Sequence, residues 1–396
     1  MDTKQKNISF ALIAISFLTL ASSAVSPALA SMGQAYPDVP ATLISLLTTL
    51  PSLLAVPMTL LCGQIAGKYV SYRALVIGGL LCNLISGVAP AFTQNFYLLL
   101  VWRGLFGCGT GILSPLIMPM MMATFEGQRV YRQASYNAIA TNIGAVVFQM
   151  LGGVVCAAMG WKAMFMIYFL ILPVLLLVAK IMPEPPRQEK SKDSPPVTFS
   201  LLKPSFKWCV LYFTHMVLFY VSVTEISGVV MESGFGTSTV SAVLLSLTTL
   251  VGVAGSYLYK SVNHRGTGFL GLSYLSLAAG YYVMAISGNV FVMAVGAILI
   301  GIGFGINMPA AQVYVGQSVP GYARNVAASI LAVCGNIGGF LSKFILAGIT
   351  GFLGLEGGRN AFLVCVVGYL VLAFLMGLLA LLKRGKSDVK GMDKRC

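Results

Sequence analysis

The sequence predicts an all-α membrane protein with twelve transmembrane helices in two pseudo-symmetric six-helix bundles. Three observations predict this fold class. Of the 396 residues, 57% are hydrophobic and only 9% are charged, whereas an ordinary soluble domain has about 25% charged residues. Apolar runs long enough to cross a hydrocarbon layer of roughly 30 Å recur from Ile8 to Leu382. A motif of glycines and a proline occurs once in each half of the chain.

The apolar runs are predicted to be helices. A lipid-facing backbone must satisfy its own hydrogen bonds, and the runs exceed the roughly 9 to 11 residues of a transmembrane barrel strand. In chain order, the predicted spans are residues 8–31, 42–66, 74–94, 97–121, 133–158, 163–182, 207–231, 239–259, 268–287, 290–315, 326–350 and 361–383.

The first apolar run has two interpretations. Lys4 and Lys6 precede it and Ala28-Leu29-Ala30 ends it, as in a secretory signal peptide with its cleavage site. Removing this run would leave the later basic loops one crossing out of phase with the positive-inside rule. We therefore predict an uncleaved first span.

One long polar connection divides the spans into six and six. Residues 183–206 contain six prolines and mixed charge, a composition typical of an exposed linker. The predicted organisation is an N-terminal bundle over residues 1–182, a cytoplasmic linker over 183–206, and a C-terminal bundle with a short cytoplasmic tail over 207–396.

The formal net charge of +14 comes mostly from Lys and Arg residues in the connections and tails outside the predicted spans. With the N-terminus inside, only Lys162 and Arg359 fall in connections on the outer side, which is the positive-inside pattern for an even number of spans. This distribution predicts a multi-pass protein of the cell membrane with both termini cytoplasmic. It also argues against nucleic acid as the partner of the positive charge.

Internal repetition relates the two halves. The pattern G-x-G-x-G-I-x-x-P begins at Gly107 and again at Gly301, an offset of 301 − 107 = 194. Two further sets of residues repeat: Ala134, Ser135, Asn142, Ile143 and Gly144 return at the same offset as Ala328, Ser329, Asn336, Ile337 and Gly338, and Gly63, Lys68 and Arg73 return as Gly255, Lys260 and Arg265. Parallel repeats predict a solute site near the midplane between the halves, with alternating access by rocking.

At these residues the chain resembles the major facilitator superfamily over essentially its whole length, and especially the drug and proton antiporter branch. The loop from Gly63 through Lys68 to Arg73 is similar to the family signature between spans two and three, but Gly67 stands where the family usually has an aspartate. Arg103, together with the glycines that follow it, resembles the fourth-span motif, whose arginine the family associates with proton coupling.

The match to the fifth-span antiporter motif is partial. Gly144, Gly152 and Gly153 are in register with it, but Phe148-Gln149 replaces its central Gly-Pro pair. The resemblance therefore implies transport without fixing its direction.

Charges inside spans are costly and usually face a cavity or a partner. Arg103, Glu225 and Lys343 are the candidates, and their positions along spans four, seven and eleven predict similar depths. By resemblance to the family, spans four and seven line a central cavity, so Arg103 and Glu225 are expected to meet. We assign Glu225 the proton-titrated role, Arg103 the coupling role and Lys343 that of an anion-attracting cation; the alternative is a static ion pair.

Other polar and aromatic residues within the spans are candidates for proton relay or substrate contact, or for ordinary packing and hydrogen bonding across the bundle. They are His215, Asn142, Gln149, Asn307, Gln312, Asn336, Tyr220 and Phe148.

Candidate gating residues lie in the loop after span two and in the repeated motif. Glu126 is predicted to pair with Lys68 or Arg73, and the prolines to bend their helices. The glycines have a packing alternative. The set is Gly63, Lys68, Arg73, Glu126, Gly107, Gly109, Gly111, Pro115, Gly301, Gly303, Gly305 and Pro309.

The leading functional expectation is proton-coupled efflux of hydrophobic or amphipathic compounds by a monomer in the lipid bilayer. The alternatives are a small organic anion bound by Arg103 and Lys343, and a receptor or lipid-handling protein on the same fold. Phosphate-loop, nucleophile-elbow and zinc motifs are missing from the sequence, so neither an enzyme nor a cofactor is expected. The eight cysteines lack metal or redox spacing and are predicted to be reduced thiols.

Overall fold

The computed structural model describes residues 3–184, 198–262, 267–320, 323–355 and 357–392. Across these ranges the chain is helical, and the one extended pairing is an isolated bridge between Ala66 and Val70. Parts of the predicted linker and Arg265 of the predicted repeat lie outside the described residues.

Within residues 3–184, nine α-helices precede the linker, and 3-10 turns interrupt several of them. The α-helices are α1 (Thr3–Leu18), α2 (Leu29–Ala35), α3 (Ala41–Ile65), α4 (Tyr72–Val88), α5 (Phe96–Leu113), α6 (Ile117–Thr124), α7 (Gln128–Met159), α8 (Trp161–Met164) and α9 (Ile171–Ile181). The 3-10 segments are Ala21–Ala28, Ala89–Phe92, Ser114–Leu116 and Phe165–Leu170.

The helices after the linker are longer and less often interrupted. A short helix α10 (Phe199–Leu202) and a 3-10 turn (Lys203–Ser205) lead into six long helices in the described ranges that follow. These are α11 (Phe206–Glu232), α12 (Ser238–Val262), α13 (Thr267–Ala285), α14 (Val290–Gln317), α15 (Arg324–Phe352) and α16 (Gly358–Met392).

The predicted membrane class and fold class are confirmed. Within the described residues, 11 helical segments are long and apolar enough to cross a membrane. The predicted ninth span is a shorter apolar helix, Phe269–Ala285. Polar side chains set several helix starts: Asn95 accepts hydrogen bonds from Tyr97 and Leu98, and Asn289 accepts one from Val292.

The chain divides by its internal contacts into two units. The first unit comprises Met1–Pro195 together with Ile226–Ser246, and the second comprises Pro196–Glu225 together with Leu247–Cys396. The sequence places the division at the linker, whereas the segment Ile226–Ser246, from the end of α11 and the start of α12, has its contacts in the first unit. The hydroxyls of Ser227 and Ser238 make part of these contacts.

The repeated glycines pack helices closely in both units. A Cβ on Gly107 or Gly111 would overlap the α3 backbone, and one on Gly109 would overlap the side chain of Asn83 on α4. In the second unit, Gly301 and Gly305 face the α12 backbone, and Gly303 faces Ser273 and Leu277 on α13. The duplicated sequence motif therefore makes the same kind of close contact twice, with one neighbouring helix on each face.

Candidate functional site

Glu225 and Lys343 form an ion pair in the second unit. Glu225 lies near the end of α11 and Lys343 lies on α15, and their side chains are 12% and 16% exposed. The Lys343 ammonium contacts Glu225 Oε1, and the Thr224 hydroxyl donates to the same oxygen over 3.2 Å. A mostly buried pair requires this additional hydrogen bonding to offset the cost of desolvating both charges.

Arg103 is completely buried in the first unit, where it binds oxygen atoms of the backbone and of hydroxyl groups. Its Nε donates to the Leu47 carbonyl over 2.7 Å, and Nη2 donates to Ser22 Oγ over 2.6 Å. Nη1 lies 3.4 Å from the Tyr168 hydroxyl. Arg103 has these partners within the first unit, and Glu225 has Lys343 as its partner within the second.

The Ser22 oxygen atoms that accept from Arg103 lie in the first span, which is not a continuous α-helix. Residues Ala21–Ala28 between α1 and α2 form a 3-10 segment, which leaves carbonyl groups without their usual α-helical partners. Ser22 accepts from Arg103 through both its carbonyl and its hydroxyl, and the Tyr168 hydroxyl donates to the Ala21 carbonyl over 3.1 Å. Arg103 and Tyr168 thus hold the interrupted part of the span together.

An aromatic cluster surrounds this site. Phe148, completely buried, lies 6.0 Å by ring centroids from Tyr168 and 5.9 Å from Phe17. Phe106 lies 5.0 Å from Tyr168, and the Arg103 guanidinium is 5.2 Å from the Phe106 ring. Phe148, predicted as a possible substrate contact, is here a core residue of the first unit.

Serine hydroxyls connect Ile226–Ser246 to the first span within the first unit. Ser227 Oγ donates to the Pro27 carbonyl over 2.8 Å and accepts from the Ala30 N–H over 3.2 Å. Ser31 and Ser238 place their hydroxyl oxygens 3.1 Å apart. Gln149, from the predicted set, accepts from Ser246 on the same segment.

His215 lies in a buried aromatic cluster of the second unit. Its ring centroid is 5.9 Å from Phe304 and 6.0 Å from Tyr274, and the Tyr369 hydroxyl is 3.2 Å from His215 Nδ1. Nε2 has no hydrogen-bond partner among the described residues. The Tyr281 hydroxyl donates to the carbonyls of Leu218 and Phe219 in the same helix as His215.

Several predicted polar residues bind their own helix or a neighbouring one. Asn307 donates from Nδ2 to Ser273 Oγ over 2.8 Å and to the Gly303 carbonyl over 2.9 Å. Asn142 donates to the Ala138 carbonyl one turn back on α7. Gln312 is exposed, and Asn336 and Tyr220 are half-buried. Asn307 therefore joins α14 to α13, and the Asn142 amide is bound within its own helix.

A narrow cleft in the second unit leaves about 10 Å³ for a water-sized molecule, which is room for about one water. Its walls include Trp208, Tyr212, Tyr274, Asn307 and Tyr314. The Trp208 and Tyr314 rings stack with centroids 4.5 Å apart. Asn307 alone belongs to the predicted set, because aromatic residues in apolar spans have the sequence signature of ordinary core residues.

An acidic residue of the predicted linker binds the start of α4, next to the loop that follows α3. Glu184 accepts hydrogen bonds from the backbone N–H groups of Tyr72 and Arg73 at the start of α4, over 2.8 and 3.1 Å. The Arg73 guanidinium donates to the Ala179 carbonyl.

Glu126 is exposed and makes no ion pair with Lys68 or Arg73, all three of which the structure describes, so the predicted pairing is not formed. Lys68 is exposed and lies over the Tyr69 ring, and Gly63 is exposed near the end of α3.

The two repeated prolines differ in their effect on the helix. Pro115 lies in the 3-10 segment Ser114–Leu116, which separates α5 from α6. Pro309 lies inside α14, which continues from Val290 to Gln317. The predicted bend thus corresponds to a helix interruption at Pro115 and to an uninterrupted helix at Pro309.

Sequence comparison gives a family and several relatives. A model of the Major Facilitator Superfamily matches residues 11–343. The chain is similar to a multi-drug resistance efflux pump PmrA homolog of Lactococcus lactis (29% identity over 101 residues, 26% of this chain and 25% of that protein). It is also similar to the cephamycin export protein CmcT of Amycolatopsis lactamdurans (29% identity over 120 residues, 29% of this chain and 24% of that protein). These matches span about a quarter of the curated relatives' length.

Solved structures with the same fold cover nearly the whole chain. A bacterial homolog to the human lysosomal transporter Spinster, in an inward-facing and unoccupied conformation, superposes with a TM-score of 0.77 at 15% identity, over 96% of this chain and 97% of that one. The nucleoside transporter NupG gives a TM-score of 0.78 at 13% identity, over 93% and 98%. At these identities the likeness establishes the fold.

Proposed function

We propose that this chain, which belongs to the Major Facilitator Superfamily and is a membrane transporter rather than an enzyme, exports small hydrophobic or amphipathic compounds in exchange for protons. It would act as a single chain in the plasma membrane, with both termini in the cytoplasm. The similarity to efflux and export proteins supports the direction and the class of compound.

The observation that carries the proposal is the Glu225–Lys343 pair. A proton that reaches Glu225 replaces Lys343 as the partner of the carboxylate, and the neutral acid no longer holds the ammonium. The two charged side chains lie on different helices, so the pair has two states. Glu225 and Lys343 are in contact when Glu225 is ionised, and they can separate when Glu225 is protonated. An alternating-access transporter built from parallel repeats needs such a two-state element near its solute pathway.

The runner-up substrate class is a small organic anion, suggested by two buried cations. In this structure the Lys343 charge is matched by Glu225, and the Arg103 donors face the oxygen atoms of Leu47, Ser22 and Tyr168. Because both cations already have partners, binding an anion would require the loss of these contacts. We therefore favour neutral or cationic amphipathic compounds.

The test is transport into proteoliposomes with an imposed proton gradient. The two probes are tetraphenylphosphonium, a lipophilic cation, and succinate, a dicarboxylate. We expect gradient-driven accumulation of the cation and none of succinate. Succinate accumulation that Lys343→Gln abolishes would establish the anion alternative and overturn the proposal.

Glu225→Gln separates coupling from transport itself. We expect this variant to lose gradient-driven accumulation while it retains downhill flux of the probe. Leaving one partner of a buried pair alone costs about 3–5 kcal/mol of stability. The double variant Glu225→Gln with Lys343→Gln avoids this cost, because its two amide side chains can hydrogen-bond to each other. Glu232→Gln, at the exposed end of the same helix, is the matched control. Gradient-driven accumulation by both the single Glu225→Gln variant and the double variant would remove Glu225 from the mechanism.

A further inference from the structure

Two cysteines that are far apart in the sequence meet in the second unit. Cys209 lies at the start of α11, and Cys334 lies on α15. Their thiols lie close enough to interact, and both cysteines are free. Because the two cysteines lie on different helices, no local cysteine motif in the sequence predicts their contact.

The helices that carry these cysteines approach closely at this point. A Cβ on Gly335, next to Cys334, would lie 2.8 Å from Cε1 of Tyr212, and a Cβ on Gly338 would lie 2.7 Å from the Phe213 carbonyl oxygen. Tyr212 and Phe213 are one turn along α11 from Cys209. A disulfide requires Cα atoms about 4.4–6.8 Å apart, and glycines opposite large side chains permit such a close approach.

The two thiols differ in access. Cys209 is 1% exposed, whereas Cys334 is half-buried. An oxidisable pair works when an accessible thiol reacts first and a neighbouring thiol resolves the product. Cys334 is the more exposed thiol and suits the first step, and the buried Cys209 suits the second.

The other described thiols have different partners. Cys62 donates to the Ile112 carbonyl over 3.4 Å, and Cys82 donates to the Leu105 carbonyl over 3.3 Å. Cys365 donates to the Leu218 carbonyl over 3.6 Å, and Cys156 accepts from Ser238. These contacts engage the four sulfurs with groups that cannot form a disulfide, and Cys82 also has the Cys108 thiol as an electrostatic neighbour.

We propose that Cys209 and Cys334 form an oxidisable dithiol site whose oxidant is a peroxide. The Cys334 thiolate attacks one oxygen of hydrogen peroxide, which gives a sulfenic acid and hydroxide. The Cys209 sulfur then attacks the sulfenic sulfur and releases the second oxygen as water. In total, two thiols and one hydrogen peroxide give one disulfide and two waters, and a dithiol reductant reverses the oxidation.

The cross-link would act on the helices of the proposed coupling pair. α11 also carries Glu225, and α15 also carries Lys343. A covalent tie between Cys209 and Cys334 fixes the spacing of these two helices, so the separation of Glu225 from Lys343 becomes harder. This consequence for transport rests on the proposed function, whereas disulfide formation does not.

The test treats the purified full-length protein in lipid nanodiscs with hydrogen peroxide, blocks the remaining thiols with N-ethylmaleimide and identifies joined peptides by mass spectrometry. We expect a Cys209–Cys334 peptide pair that dithiothreitol removes. Cys62→Ser, which keeps a hydroxyl donor for Ile112, is the matched control and should give the same pair. In Cys209→Ser, we expect dimedone to trap a sulfenic acid at Cys334; Cys334→Ser is the second variant.

Transport of tetraphenylphosphonium by the same samples gives the functional result. We expect peroxide to slow downhill flux several-fold in the unmodified protein and in Cys62→Ser, but not in Cys209→Ser or Cys334→Ser. Peroxide treatment that leaves Cys209 and Cys334 unlinked, or that joins Cys82 to Cys108 in their place, would overturn the dithiol site. A complete cross-link with unchanged downhill flux would overturn only its effect on transport and would leave the proton-coupling proposal to its own test.

Discussion

At the scale of single residues, Arg103 shows how a buried cation is held without a carboxylate. Its guanidinium presents donors in a fixed planar fork, and these donors reach Leu47 on α3, Ser22 in the 3-10 segment and Tyr168. The sequence identifies Arg103 because a charge within an apolar span is rare. It does not identify Ser22 as an acceptor, because the 3-10 segment around Ser22 is not predicted by hydropathy. The Leu47 carbonyl is free because Pro51, four residues further along α3, has no N–H to donate to it.

Arg103→Lys should therefore destabilise the first unit while keeping its charge. A lysine ammonium cannot reach all three acceptors at once, and each buried group left unsatisfied costs about 1–3 kcal/mol. We expect a clearly lower midpoint in thermal unfolding of the detergent-solubilised protein. Tyr168→Phe removes one hydroxyl of the same network and should lower the midpoint by less. Equal midpoints for Arg103→Lys and the unmodified protein would show that the guanidinium geometry is unimportant.

At the scale of elements, the interruption of the first span creates two contacts. The start of the 3-10 segment provides oxygen atoms for Arg103. The end of this segment provides the Pro27 carbonyl for Ser227, and the first turn of α2 provides the Ala30 N–H. One serine hydroxyl thus bridges two backbone groups on either side of the junction between the 3-10 segment and α2. Because Ser227 lies in the segment Ile226–Ser246, this bridge helps to hold the end of α11 in the first unit.

Ser227→Ala should loosen this segment. Both backbone groups lose their partner, so we expect more frequent local opening around Ser238 and Cys156, which are in contact. The measurement is the rate at which N-ethylmaleimide modifies Cys156, quantified by mass spectrometry with Cys62 as the internal reference. Ser222→Ala is the matched control, since the Ser222 hydroxyl donates to the Phe219 carbonyl of its own helix. Identical Cys156 rates in the two variants would contradict this account of the bridge.

At the scale of the whole molecule, the sequence predicts the fold far better than the site. Composition and run length predict the membrane-spanning helices, and the repeated glycines predict where helices approach closely. The site depends on partners distant in the sequence, as Glu225 with Lys343 and Tyr72 with Glu184 illustrate. Depth along a span suggests which charges can meet, but rotation about each helix axis decides which ones do.

The duplication makes a prediction about the topology of the whole chain. Gln94 and Gly288 are separated by the repeat offset of 288 − 94 = 194 and are both exposed between spans. Parallel halves place Gln94→Cys and Gly288→Cys on one face of the membrane and Lys68→Cys on the other. A membrane-impermeant maleimide applied to intact and to permeabilised cells distinguishes these faces. Gln94→Cys and Gly288→Cys labelled from opposite faces would rule out the parallel arrangement.

The Glu184 carboxylate has a practical consequence for anyone who inserts a reporter into this chain. It ties the residues that follow α9 to the first turn of α4 through two backbone N–H groups. An epitope or fluorescent domain inserted at Pro183 would move this carboxylate away from those N–H groups and break both hydrogen bonds to the start of α4. The same insertion on the C-terminal side of Glu184 leaves these hydrogen bonds in place, so the first suitable insertion site in this linker comes after residue 184.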